Sequence, residues 1–249
     1  MLAALGWKAR AQVPYWRNSE SLWHHTLAVT SDNYVAHNNL AVLFEQRGQL
    51  QSAITHFQRT LDIQSSSGQA RYDLPLARAH TNLASAFLRK GRIDDAISHC
   101  ESALKLRPGF AEAETALGDA FLQKRAMREA IVHYEKSLEP GPGSVVALNN
   151  LALIFATCPD SQFRNGLRAI QLAKQADALR GGKDPSVVRT LAAAYAENGQ
   201  FQEAVATAER ALKLGKAQGN LPLADDVRID IDLYKLNLPR REHLNVRSY

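Results

Sequence analysis

The sequence lacks two patterns that mark membrane-spanning and β-sheet proteins. Long apolar runs are absent, and no stretch reaches the roughly 20 apolar residues that a transmembrane helix needs. The alternation of apolar and polar residues that is typical of a β-strand is absent as well. Residues 1–5 are apolar, but no charged region precedes them, so they make a poor signal peptide. We therefore expect an all-α protein that is soluble as given.

Cysteine is scarce, and neither sign of charge dominates the chain. Cys100 falls at a core position and Cys158 in a predicted loop, and two thiols so differently placed argue against a disulfide framework. The 30 lysines and arginines exceed the 25 acidic residues by only five, and they are spread along the chain. The one basic cluster is Arg240-Arg241. Without a basic stripe, we expect solvated helix faces rather than a nucleic-acid interface.

The signatures of catalytic and metal sites are missing too. There is no His-Glu-x-x-His, no zinc-type cysteine pair, no phosphate-binding loop and no G-x-S-x-G. We interpret His37 and His80 as packing residues. His56, His99 and His133 recur at one position of successive repeats, so they are separated by a repeat each and need not touch. We predict no enzymatic activity, no metal ion and no small-molecule cofactor.

What the sequence does contain is a pattern of large and small apolar residues that occurs five times, at intervals of 34 to 43 residues. Each copy has a leucine, a small residue and then an aromatic residue on one helical face, followed by a second segment built around an alanine. The leucine and small-residue pairs are Leu40-Ala41, Leu83-Ala84, Leu117-Gly118, Leu151-Ala152 and Leu191-Ala192. Gly48, Gly91 and Gly199 lie between the two segments, where a positive φ would end the first helix. Each copy is therefore predicted to be two amphipathic helices.

This pattern resembles the tetratricopeptide repeat, whose 34-residue signature is W-x2-L-G-x2-Y, then A-x3-F, then P. The resemblance implies a right-handed α-α superhelix, or solenoid, of about five helix-turn-helix repeats. One repeat cannot bury its apolar face alone, so neighbouring repeats must stack. A C-terminal helix with a single apolar stripe is predicted to cap the last repeat.

The phase of the repeats divides the chain into predicted segments. They are an aromatic segment with a degenerate half repeat at 1–33, five repeats at 34–67, 77–110, 111–144, 145–184 and 185–218, the capping helix at 220–238 and a frayed basic tail at 239–249. A spacer at 68–76 separates the first two repeats, and its apolar residues, Tyr72, Leu74 and Leu76, indicate that it packs. The fourth repeat carries an insertion in its turn, between Thr157 and Gly166.

With no catalytic residues, the function is expected to reside on the first helices, which line the concave face of such a superhelix. A similar ladder of asparagines lines the superhelix of O-GlcNAc transferase and holds substrate peptides there; the positions that match it are Asn39, Asn82 and Asn150. An asparagine amide donates and accepts, so it can hold an extended peptide backbone without reading the side chains. Ala116 and Thr190 interrupt the ladder. The alternative is that this asparagine bridges adjacent helices.

Further polar residues flank the ladder and complete the predicted peptide-binding set. They are Asn38, Arg78, Ser85, Asp119, Asn149 and Arg189. These residues carry charges of both signs, so they do not form the basic clamp with which similar repeat proteins bind chaperone C-termini. We predict a protein-protein interaction scaffold whose partner is a protein or an extended peptide.

All three tryptophans lie within the first 23 residues, beside Tyr15. They pack a degenerate first repeat or belong to a membrane interface, and the two interpretations can coexist. The stretch from Tyr15 to Leu40 is similar to the junction at which bacterial multi-spanning, glycosyltransferase-like proteins pass from their last transmembrane helix into a tetratricopeptide tail.

This second resemblance implies an alternative function: a substrate-presenting arm of a membrane glycosyltransferase whose catalytic part is absent from this sequence. It also implies an N-terminal membrane tether in a longer parent and a location on the extracytoplasmic side of a bacterial membrane. A cytoplasmic location is the other possibility. Self-association through the aromatic N-terminus or an uncapped end is a third possible role.

Overall fold

The chain folds into a succession of α-helices. The computed structural model describes residues 18–30, 32–66, 73–139, 141 and 143–241, and within these ranges there are twelve α-helices, one short 3₁₀ helix and no strand. The α-helices are α1 (Ser19–Val29), α2 (Tyr34–Gln46), α3 (Leu50–Ser66), α4 (Asp73–Arg89), α5 (Ile93–Leu106), α6 (Ala111–Gln123), α7 (Met127–Leu138), α8 (Val145–Thr157), α9 (Gly166–Leu179), α10 (Pro185–Glu197), α11 (Phe201–Ala217) and α12 (Leu221–Lys235). The predicted all-α fold class is confirmed.

Two compact units divide the chain, Met1–Ala116 and Leu117–Tyr249, and the division falls within α6. In the first unit α2 packs on α3, α3 on α4, and α4 on α5. In the second unit each helix from α7 to α11 packs on the helix that follows it. Each unit is therefore built by stacking helices that are neighbours in the sequence, as a helical repeat requires.

Small side chains let the helices approach each other closely. In the first unit, Ala41 of α2 and Ala53 of α3 are completely buried. In the second unit, Gly118 of α6 lies under the ring of Tyr134 of α7, and a methyl group added at Gly118 would be 2.5 Å from that ring. The prediction that these positions are small because a second helix packs against them is confirmed.

The turns within the helix pairs share one backbone conformation. Gly48, Gly91 and Gly199 have φ angles of +73°, +73° and +77°, as predicted. The corresponding residue of the third pair is Arg125, which adopts a φ of +60° although it is not a glycine. In all four turns the amide of the following residue donates to the carbonyl of an aromatic residue five positions earlier. This hydrogen bond satisfies a carbonyl that the end of the helix leaves without a partner.

Side chains also define where several helices begin. Asn33 accepts a hydrogen bond from the Ala36 amide at the start of α2, and Ser144 accepts one from the Ala147 amide at the start of α8. Asp184 caps α10 in the same way, with Pro185 in the first turn, where a missing amide hydrogen costs nothing. These caps provide partners for amide hydrogens that have none within the helix.

The predicted spacer at 68–76 differs from the structure. Helix α4 begins at Asp73, four residues before the predicted start of the second repeat, so Leu74 and Leu76 are helical. Pro75 lies in the first turn of α4, where proline is tolerated, and it therefore does not end the helix. Tyr72 lies outside the described residues.

The predicted frayed tail is wrong for its first residues. Arg240 is ion-paired with Asp230, and Arg241 is ion-paired with Glu197. Their charges hold residues 240 and 241 against the second unit, whereas the prediction considered only their distance from the last apolar stripe. Residues 242–249, like the aromatic segment 1–17, lie outside the described part of the chain.

None of the helices in the described part of the chain combines the length and the apolar character that crossing a membrane requires.

Alanine substitutions at two helical glycines, Gly118 and Gly215, are expected to change stability in different ways, because a methyl group at Gly118 would collide with the Tyr134 ring. Gly118→Ala is expected to lower the free energy of unfolding by about 1–3 kcal/mol, because the buried Tyr134 ring must shift. Gly215→Ala in α11 is the matched control. Its methyl group would meet only ordinary contacts, the nearest at 3.5 Å, and alanine is the better helix former by up to about 1 kcal/mol. Urea unfolding followed by circular dichroism measures both. Equal effects of the two substitutions would contradict the account of Gly118.

Candidate functional site

A groove in the first unit brings several of the predicted residues together. It lies between α2, α3 and α4 and has a volume of about 270 Å³. We call it the first-unit groove, and it is lined by Tyr34, Val35, Asn38, Asn39, Thr60, Gln64, Leu74, Pro75, Arg78 and Asn82. Four of these, Asn38, Asn39, Arg78 and Asn82, belong to the predicted peptide-binding set. The structure therefore brings four of the nine predicted residues to one groove, and their role in peptide binding stays a prediction.

The lining combines amides, one cation and apolar side chains. Asn39 donates from its side-chain nitrogen to the Val35 carbonyl of its own helix, at 2.9 Å. Among the described residues, none forms a hydrogen bond or an ion pair with the exposed Arg78 guanidinium. Leu74 and Pro75 add apolar surface from the first turn of α4, the turn that the prediction had assigned to a spacer. Such a lining suits an extended chain that carries both backbone amides and apolar side chains.

Ser85 does not line this groove. Its hydroxyl donates to the Thr81 carbonyl one turn earlier, at 3.2 Å, and Thr81 in turn donates to the Ala77 carbonyl, at 2.9 Å. Both hydroxyls are thus used within α4. Back-bonding of this kind is common for serine and threonine inside helices.

In the second unit, Asp119 and Asn150 meet each other through a tyrosine. The Tyr134 hydroxyl donates to Asp119 Oδ1 at 2.6 Å, and the Asn150 amide donates to the same oxygen at 3.0 Å. The Asn150 amide is also 3.2 Å from the Tyr134 hydroxyl. The side chains therefore connect α6, α7 and α8. Asn150 therefore bridges neighbouring helices, which is the alternative role given above for the asparagines of the ladder.

Burial dominates the electrostatics of this network. It raises the pKa of Asp119 to about 6, although the hydrogen bonds from Tyr134 and Asn150 act in the opposite direction. Burial and the neighbouring carboxylate also raise the pKa of the Tyr134 hydroxyl well above its ordinary value. A carboxylate held this way is costly to ionise, which is a packing effect and does not by itself indicate catalysis.

The two remaining predicted residues, Asn149 and Arg189, lie in the second unit. Asn149 is only 7% exposed, and its Oδ1 atom has no hydrogen-bond partner among the residues described. Arg189 donates to Asp230 Oδ2 at 2.6 Å and to Asp226 Oδ2 at 3.3 Å. The structure therefore brings Asn38, Asn39, Arg78 and Asn82 into one groove, while the other predicted residues lie elsewhere.

Histidine pairs are a feature that the sequence analysis missed. His37 and His56 approach to 2.9 Å between their Nδ1 atoms, and His80 and His99 approach to the same distance. The second histidine of each pair also packs on a phenylalanine ring, Phe44 for His56. His56 and His99 indeed do not pair with each other, but each pairs within its own repeat. Their constant spacing of 19 residues was the available signal.

Each histidine pair holds one hydrogen between two nitrogens, so one ring must donate while the other accepts. Burial lowers the pKa of His80 to about 4, and the positive charge that His99 would carry adds to this effect. Burial lowers the pKa of His56 and of His99 as well. Within the described part of the chain, no three metal-binding side chains come together.

Known proteins confirm the repeat. Three family models, each described as a tetratricopeptide repeat, match residues 32–109, 81–145 and 190–216, which together are more than half of the chain. No curated protein matches the sequence at a significant level.

Solved structures with the same fold come from distant proteins. The thermophilic protein TTC0263 of Thermus thermophilus is 20% identical, with a TM-score of 0.57 over 82% of this chain and 100% of its own. BtubC from P. vanneervenii is 22% identical, with a TM-score of 0.63 over 84% and 92%. Yeast Tom70 is 15% identical, with a TM-score of 0.65 over 87% of this chain and 43% of its own. At these identities the likeness concerns the fold.

The raised pKa of Asp119 predicts a specific pH dependence. The folded chain retains a proton on Asp119 up to about pH 6, whereas the unfolded chain loses it near its ordinary value of 3.8. The folded state therefore binds more protons in this window, and its stability falls as the pH rises from about 4 to about 6.

Asp119→Asn removes this loss but retains an oxygen for Tyr134 and Asn150. Relative to the wild type, the variant is expected to gain up to about 3 kcal/mol between pH 4 and pH 7. Urea unfolding of both chains at the two pH values measures the gap. A gap that is the same at both values would contradict the burial of Asp119.

The histidine pairs predict the opposite trend in the first unit. Unfolded His80 takes up a proton near pH 6.5, whereas folded His80 resists protonation until about pH 4. The unfolded state then binds more protons, so the contribution of His80 to stability is lost as the pH falls from 6.5 to 4. His80→Gln should be less stable than the wild type at pH 7, and this disadvantage should be much smaller at pH 5. Thermal unfolding at both pH values measures this, and a constant disadvantage would count against the pair.

Proposed function

Because the chain belongs to the tetratricopeptide repeat proteins, we propose that it is a non-catalytic scaffold for protein-protein interaction and that its first-unit groove holds an extended peptide segment. One observation carries this proposal: Asn38 and Asn39 of α2 and Arg78 and Asn82 of α4 line the same groove. Two neighbouring first helices thus contribute amides to one surface, which a segment of a partner protein can cross.

The chemistry of the groove favours a main-chain ligand. Asparagine amides match the alternating donors and acceptors of an extended backbone, and each such bond contributes about 0.5–1.5 kcal/mol. Leu74 and Pro75 accept apolar side chains, and Arg78 favours an acidic residue or a carboxylate nearby. Since these bonds are few and the ligand loses freedom on binding, we expect affinities on the order of micromolar.

The absence of catalysis is part of the proposal. The strongly shifted pKa values of Asp119 and Tyr134 belong to side chains that bind each other between packed helices. Both cysteines are buried, which does not suit a nucleophile that must meet a substrate.

The alternative role as a substrate-presenting arm of a membrane glycosyltransferase stays a prediction. It is compatible with the same groove, and the coding sequence upstream of Met1 tests it: membrane-spanning segments there would favour it. Self-association, the third prediction, is tested by sedimentation of the intact chain.

The proposal predicts that two asparagines dominate peptide binding. Peptides selected from an unbiased library on the wild-type chain are expected to bind Asn39→Ala/Asn82→Ala at least about tenfold more weakly, because two backbone contacts are lost. Fluorescence anisotropy of the labelled peptides measures this change.

Thr55→Ala/Gln58→Ala is the matched control. Both residues are exposed on α3 outside the groove, and the Thr55 hydroxyl bonds to the Gln51 carbonyl of its own helix much as Asn39 bonds to Val35. The control should bind like the wild type, with equal helicity in all three chains. Undiminished binding by the asparagine variant would move the site elsewhere, and a library without any binder would remove support for a peptide scaffold.

A further inference from the structure

Two carboxylates of the second unit each hold a pair of arginines. Asp230 of α12, which is 1% exposed, binds Arg189 through Oδ2 and Arg240 through Oδ1. Glu197, the last residue of α10, accepts a hydrogen bond from Arg164 through Oε1 at 3.0 Å and is ion-paired with Arg241 through Oε2 at 2.7 Å, without a hydrogen bond at Oε2. Each carboxylate thus divides its oxygens between one arginine of the repeats and one arginine of the tail.

The arginines of the repeats hold these carboxylates in place without the tail. Arg164 also donates to the carbonyl oxygens of Cys158 and Pro159, so the turn insertion fixes its position. Arg189 also contacts Asp226. Removing the tail would therefore leave both carboxylates oriented by their first partner, while the second oxygen of each would lose its contact with a tail arginine. A receptor that is ordered in advance loses less freedom when its ligand binds.

Charge favours a cationic occupant. Three carboxylates, Glu197, Asp226 and Asp230, come together here, and Arg164 and Arg189 of the repeats are ion-paired with them. An uncompensated carboxylate is unfavourable in a partly buried place, so such a cluster favours a cation as its ligand. Arg240 and Arg241 supply two cations here, one to Asp230 and one to Glu197.

The backbone directs the tail to this place. Helix α12 ends at Lys235, and Asn237 has a φ of +57°, which turns the chain back. The Leu238 amide donates to the Leu233 carbonyl and closes this turn. Beyond it, Arg241 reaches the Ala156 carbonyl at the end of α8 as well as Glu197. The tail therefore crosses the ends of α8 and α10, two first helices of the second unit.

We infer that Glu197 and Asp230 form a binding site for a protein segment with two consecutive arginines and that Arg240-Arg241 fills this site from within the same chain. The tail is then an internal competitor. A tethered ligand of this kind acts at an effective concentration on the order of millimolar, so an external segment gains access only when the tail is displaced. The site is separate from the first-unit groove and would regulate a second interaction.

The test uses the labelled peptide Leu-Pro-Arg-Arg-Glu-His, blocked at both ends, and the full chain. The peptide is expected to bind Arg240→Ala/Arg241→Ala at least about tenfold more tightly than it binds the wild type, because the internal competitor is gone. Adding Glu197→Gln to that variant should weaken binding again. A peptide with two lysines in place of the arginines should bind less well, since lysine lacks the planar guanidinium.

Arg228→Ala/Lys235→Ala is the matched control, because it removes the same two charges from exposed positions of α12 outside the site. It should bind the peptide no better than the wild type does. Circular dichroism confirms that each chain is folded. If the alanine variant does not fold, Arg240→Lys/Arg241→Lys retains the charges, and this variant should still bind more tightly than the wild type. Equal binding by all folded chains, or binding by none, would overturn the inference and leave the tail contacts as a structural latch.

Discussion

Close approach of helices through small side chains is the constraint on which the rest of the structure depends. Gly118 leaves room for the Tyr134 ring, and this contact brings the Tyr134 hydroxyl to Asp119 and Asn150. A larger residue at position 118 would separate α6 from α7 and break the network that connects them to α8. The buried alanines Ala41 and Ala53 do the same for α2 and α3. Polar contacts in both units follow from this packing.

The same packing determines which polar residues remain available to a partner. Where three helices pack closely, as around Asp119, the polar side chains form hydrogen bonds with one another. Where α2 and α4 leave a groove, Asn38, Asn39 and Asn82 line it. Related positions of a repeat thus connect helices in the second unit and line a groove in the first. Repeat proteins distribute function in this way because each repeat contacts only its neighbours.

Much of the fold was predictable because its causes are local. The leucine and small-residue pairs reveal the buried face of each first helix, and glycines such as Gly48 mark the turns. The first-unit groove was partly predictable, since Asn39 and Asn82 occupy matching positions of successive repeats. The contribution of Leu74 and Pro75 to the groove was not predicted. The proline at position 75 suggested a non-helical spacer, whereas it lies in the first turn of α4.

Other features depend on contacts between residues far apart in the sequence. The pairing of Asn150 with Asp119 spans 31 residues, and no pattern distinguishes Asn150 from Asn82. The ion pair between Arg241 and Glu197 joins residues that are further apart in the sequence. It depends on the turn at Asn237, whose positive φ cannot be read from the sequence. Long-range ion pairs of this kind become visible only when the helices are in place.

The most direct test of the account is the response of the asparagine side chains in the intact protein. Nuclear magnetic resonance of the ¹⁵N-labelled chain, titrated with a library-selected peptide, records the side-chain amides individually. We expect the signals of Asn38, Asn39 and Asn82 to shift together along one binding curve, while the signal of Asn150, whose amide is bonded to Asp119 in the second unit, does not shift. Shifts confined to residues outside the first-unit groove would contradict it.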